Sequence, residues 1–81
     1  MENRIATISI IITDKEAAEQ VNAILHEYAE YIIGRMGLPY AQKKVSIICV
    51  CLDAPTSITS ALSGKLGMVP NVSAKTNTAK V

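Results

Sequence analysis

"IIGRMGLPYAQKKVSIICVCLD", residues 32–53, sets an arginine between two glycines, follows it with a lysine pair, and puts two cysteines two apart in an apolar run. Metal or phosphate chemistry competes here with a plainer reading, two strands and their connection. The segment "VSIICVCL" (45–52) favours the plainer one. Val45, Ile47, Cys49 and Cys51 alternate with Ile48, Val50 and Leu52, so an extended chain would be apolar on both faces. Such a strand belongs inside a sheet, with cover on both sides. Just upstream, "YIIGRM" (31–36) reads as another strand, weakened by Gly34 and broken by Gly37-Leu38-Pro39.

The flanks extend the pattern. Residues 4–12, "RIATISIII", are β-branched and partly alternating, a first strand. "TDKE" (13–16) is a capping box in which Thr13 caps the backbone N–H three residues on and Glu16 reaches back. The helix it starts runs to about residue 28, with Ala17, Val21, Ile24, Leu25 and Tyr28 on one apolar stripe. After the central strand, Pro55 suits a first helical position, so a second helix begins near 55. Ile58, Ala61, Leu62 and Leu66 line its inner side, Lys65 suits the dipole of its last turn, and Gly67 ends it. Gly64 inside that helix costs about 1 kcal/mol against alanine, which close packing on the sheet would offset. "VSAKTNT" (72–78) is a polar last strand for a sheet edge, and the tail "AKTNTAKV" reads as frayed.

The order βαββαβ, closed by two right-handed crossovers, predicts an α+β ferredoxin-like sandwich, a four-stranded antiparallel sheet with both helices on one face. The 81 residues make a single domain with its core at about 4–78. Two helices cover one face only, yet Ile5, Ile11 and one row of the third strand point to the other. That patch is too apolar to stay wet on a small monomer, so self-association through the sheet, as a homodimer or higher, is expected.

Composition excludes several classes. Two cysteines cannot build a disulfide framework, and no apolar run approaches the roughly 20 residues of a membrane span. "MENRIATISIII" has a charged head and an apolar run, but no small-residue cleavage site; a cytoplasmic setting is expected. The formal net charge of +1 gives no nucleic-acid footprint. Charge is nonetheless segregated, since residues 1–30 sum to −4 and residues 31–81 to +5. That polarity could steer head-to-tail association or an anionic ligand.

Cys49 and Cys51 share a strand face about 6.5–7 Å apart at Cα, poorly placed to bond each other. They read as small apolar core residues; a weaker alternative is a metal site with His26, or one shared across a dimer. His26 alone, at the border of the helical stripe, assembles no catalytic set. Gly34-Arg35-Met36-Gly37 lacks both phosphate-loop patterns and reads as a bulged strand end and a turn. Arg35 is then either solvated or paired with a first-helix acid, or else its planar fork holds an anion or a partner's carboxylate.

Asp14 with "EAAEQVN", "GRMG-PY" (Gly34, Arg35, Met36, Gly37, Pro39, Tyr40), "VSII", and "LSGKLG" with Pro70 and Val72 together resemble the small bacterial proteins of the iron-only hydrogenase system regulator family, over about residues 4–78. The resemblance implies an ACT-like fold, similar to the ligand-sensing half of nickel-responsive repressors. It also implies an assembly of at least dimers and a role in transcriptional regulation. The lone His26 does not reproduce the histidine set of those repressors, and no cofactor is expected. The expected function is a non-enzymatic sensing module, with a small effector bound near Thr13, Asp14, Gly34, Arg35 and Gly37 and a protein partner reading the assembly. A metal-binding domain and a purely structural interaction domain are the alternatives.

Overall fold

The computed structural model describes residues 2–79. Strand β1 (Asn3–Ile12) leads to helix α1 (Lys15–Glu27), strand β2 (Ile32–Tyr40), strand β3 (Val45–Pro55), helix α2 (Thr56–Gly67) and strand β4 (Val72–Ala79), with short 3-10 turns at Ala29–Tyr31 and Ala41–Lys43. The sheet runs β2-β3-β1-β4 and every pairing is antiparallel. This is the ferredoxin-like arrangement, with β3 and β1 in the middle as the alternation in 45–52 requires.

One row from each central strand fills the core. Ala6, Ile8, Ile10 and Ile12 of β1 and Ile48, Val50 and Leu52 of β3 meet Ala17, Val21 and Leu25 of α1 and Leu62 and Leu66 of α2, all buried. With neither Trp nor Phe in the chain, aliphatic side chains fill this interior, and the half-buried Tyr28 and Tyr31 pack against it.

Several local expectations fail. Thr13 does not cap α1. Its N–H and its Oγ1 both donate to the Asn71 carbonyl, at 3.0 and 3.2 Å, tying the end of β1 to the start of β4. Asp14 is the cap instead, its carboxylate accepting from the Glu16 N–H at 3.3 Å. Replacing Asp14 by alanine is therefore expected to lower stability by about 1 kcal/mol in chemical denaturation.

Nor does β2 break at Gly37-Leu38-Pro39. It continues to Tyr40, with Pro39 opposite Ser46. The strand is at an edge, where a proline can stand without removing a ladder bond. The irregularity falls earlier, at a bulge between Ile32 and Gly34.

In α2, Pro55 closes β3 in an extended conformation and helical structure starts at Thr56. The inner row is Thr59, Leu62 and Leu66; Ala61 is exposed and Ile58 half-buried. Gly67 is the last helical residue, and the chain leaves through Met68 in the right-handed region. Gly64 packs on nothing, since a Cβ there meets no atom within 4 Å. Gly64→Ala is accordingly expected to stabilise the protein by roughly 0.5–1 kcal/mol, read as a higher denaturation midpoint.

Candidate functional site

Where α1 leans over the β2–β3 hairpin, two adjoining hollows of about 600 and 270 Å³ share Ala18, Pro39 and Ser46 and make one cleft. Asp14 and Lys15 stand at the helix start, with Lys44 on the connection opposite. Lys44 is held in the left-handed region (φ 56°), which fixes where the hairpin turns back. Deeper along α1, the Arg35 Nη2 donates to Asn22 Oδ1 at 2.6 Å, and Asn22 Nδ2 donates to the Ala18 carbonyl at 3.0 Å. Arg35 is thus held by a neutral amide rather than by a first-helix acid. Its guanidinium has further N–H donors beyond this one bond.

Of the residues singled out in the sequence, Asp14, Arg35 and Gly37 line this cleft. Thr13 is spent on Asn71. Gly34 lies opposite Cys51, in the row that faces away from the helices. The Glu16 N–H at the start of α1 is occupied by Asp14, which also places a negative charge at the positive end of the helix dipole. Asn22, Lys15 and Lys44 were missed. Asn22 sat on the polar face of α1 in the sequence, and only the β2 position shows that this face looks onto Arg35.

The helix-free side of the sheet carries a second feature. Cross-strand pairing puts Tyr40 beside Val45, then Leu38, Ile47 and Ile11 in one row, Met36, Cys49 and Ser9 in the next, and Cys51 and Thr7 in a third. Met36 is 64% exposed, Leu38 54%, Ile11 45% and Tyr40 41%, a contiguous apolar surface on a single copy. Cys49 and Cys51 are half-buried free thiols on this surface rather than core residues. His26 is exposed on α1, away from them. Among the described residues, no three His, Cys, Asp or Glu side chains gather to hold a metal ion.

Lys65 joins the two helices near their ends, 3.4 Å from the Glu27 carboxylate and 5.2 Å from the centre of the Tyr28 ring. Its pKa is raised, by Tyr28 first and by Glu27. No helix among the described residues is long and apolar enough to cross a membrane.

Four antiparallel strands in this order, two helices on one face and a cleft beside the first helix define an ACT-like ferredoxin-fold domain. The chain belongs to the TM1266-like family, described as "Iron-only hydrogenase system regulator, putative", whose profile matches residues 4–76. The structure of TM1266 from Thermotoga maritima superposes with a TM-score of 0.93 at 35% identity, covering 98% of this chain and 100% of that one. The ACT domain of GTP pyrophosphokinase from Chlorobium tepidum gives 0.75 at 18% identity, covering 95% and 99%. The C-terminal domain of MgtC from Mycobacterium tuberculosis gives 0.74 at 13%, covering 96% and 89%. The last two establish the fold alone. No curated protein matches the chain.

Proposed function

We propose that this chain is a non-enzymatic sensing module of the iron-only hydrogenase system. It assembles as a homo-oligomer through the open sheet face and binds a small anionic or zwitterionic effector in the cleft. One observation carries the reading. Leu38, Tyr40, Val45 and Ile47 belong both to the apolar open face and to the lining of the cleft. A ligand that moves the β2–β3 hairpin therefore changes the surface on which a second copy sits. Each of the two equilibria then biases the other, as linkage requires.

The polar contacts come from Arg35, presented by Asn22, and from Lys15 and Lys44, with Asp14 as the acceptor for an ammonium group. A protein partner reads the resulting assembly and carries the signal to transcription in the cytoplasm. Native mass spectrometry of the protein from its own host tests this directly. A dimer or larger assembly carrying a small molecule is expected; a bare assembly would favour a purely structural interaction domain, and stoichiometric metal would favour the metal-binding alternative. Arg35→Gln is expected to weaken retention of that molecule at least about tenfold, through loss of a charged hydrogen bond, with the ligand-free assembly unchanged.

A further inference from the structure

On the helix-covered side, at the sheet edge remote from the cleft, α2 and β4 border a third, open hollow of about 450 Å³. It is lined by hydroxyl-bearing residues, Thr56, Thr59, Ser60 and Ser63 of α2 and Thr76 and Thr78 of β4, whose carbon atoms make up most of the exposed wall, and no charged side chain lines it. A run of small residues ordinarily means close packing, but Gly64 lines the same groove and has open space at its Cβ position.

Two further observations point to a ligand. Thr59 is 3% exposed and its hydroxyl has no hydrogen-bond partner among the described residues. Since no buried side-chain polar atom there is shut off without a partner, the Thr59 hydroxyl opens into the groove. In addition, α2 begins without a cap: Pro55 offers no side-chain acceptor and the first turn has no acid. The first-turn N–H groups are left for an outside acceptor, at the positive end of the dipole. Helix α1, by contrast, has Asp14 and Glu16 at its start. Arg4 adds a cation on this side of the sheet. It lies in the same helix-facing row as Ala6, Ile8 and Ile10, is half-buried, and pairs with Ala54, two residues before Thr56.

We propose that this groove is a second binding site, distinct from the cleft, for a small molecule with an oxyanion head group of phosphate or sulfate chemistry on a hydroxylated body. The head group sits at the first turn of α2, taking hydrogen bonds from its N–H groups and from Thr56 and Thr59. The body runs along Ser60, Ser63 and Thr76, and the existing Thr76 Oγ1 to Ser63 Oγ bond (2.9 Å) is exchanged for bonds to the ligand.

Amide NMR titration of the full chain with inorganic phosphate, glycerol phosphate and glycerol tests it, with wild type, Thr59→Val and Gly64→Gln compared. Shifts concentrated in 56–60 and 76–78 are expected, with glycerol phosphate binding more tightly than inorganic phosphate and glycerol much more weakly. Thr59→Val should weaken glycerol phosphate at least about tenfold while raising Tm, because an unpartnered hydroxyl becomes a methyl group. A hydroxyl of merely structural use would lower Tm instead. Gly64→Gln, at an exposed and open position, fills the groove and should block the body of the ligand. Inorganic phosphate binding as tightly as glycerol phosphate would remove the hydroxylated body from the assignment. The proposal is overturned by glycerol binding as well as its phosphate, by affinity unchanged in both variants, or by shifts confined to Lys15, Arg35 and Lys44. That last pattern would locate anion binding in the cleft and leave the sensing proposal standing.

Discussion

Ile47→Asp is expected to be a folded monomer in sedimentation experiments at micromolar concentration, where the proposed assembly predicts a dimer or larger species for the wild type. Ile47 lies in the middle of the open face, opposite Leu38 on one side and Ile11 on the other. In a single copy the carboxylate would remain hydrated, so the fold and its circular dichroism should be unchanged. Against a second copy it would be buried without a partner, and the two-fold relation of a dimer would bring in two such charges. A cost of at least about 3 kcal/mol corresponds to a dissociation constant raised more than about hundredfold. Wild type that is already monomeric and compact at that concentration would end the case for assembly through this face, and with it the link between cleft and interface.

Leu66→Ala is expected to have the largest effect on stability. Leu66 is fully buried and closes the core from the C-terminal end of α2. Its truncation leaves a cavity in an interior whose buried side chains are all aliphatic apart from Thr59. The loss should be about 2–5 kcal/mol. In a domain of this size each kcal/mol moves Tm by about 4–8 °C, so a fall of roughly 10 °C or more is expected. Ala61→Lys, five residues earlier on the same helix, supplies the contrast. Ala61 is exposed, and the change should stay within about 0.5 kcal/mol. The reverse ranking would mean that α2 is rotated about its axis relative to the row Thr59, Leu62 and Leu66.

That contrast also marks how far the sequence could be read. The stripe on α1 was legible because Ala17, Val21 and Leu25 repeat at helical spacing among charged neighbours. Helix α2, "TSITSALSGKLG", has small and hydroxylated residues all round. Its periodicity is faint, and Ala61 and Thr59 could exchange places on the wheel with little penalty. Only the sheet decides which of them is inside. Part of the cleft was legible as well, through Asp14, Arg35 and Gly37. Asn22, Lys15 and Lys44 were not, since each looks like an ordinary solvated polar residue until the strand or helix facing it is known. Thr13 was misassigned for a related reason. A local capping box competed with an Asn71 carbonyl 58 positions away, and the distant acceptor won.

By itself, then, the sequence determined the order and type of the elements, the central place of the strand at 45–52, and an apolar sheet face that two helices cannot cover. These follow from side-chain period and helix-terminus chemistry within a window of a few residues. Tertiary structure alone decided that β2 continues through Pro39, that Asp14 rather than Thr13 caps α1, that Arg35 rests on Asn22, and that Thr59 opens into a groove beside β4. Those outcomes depend on which remote backbone lies alongside, and no local spacing encodes that.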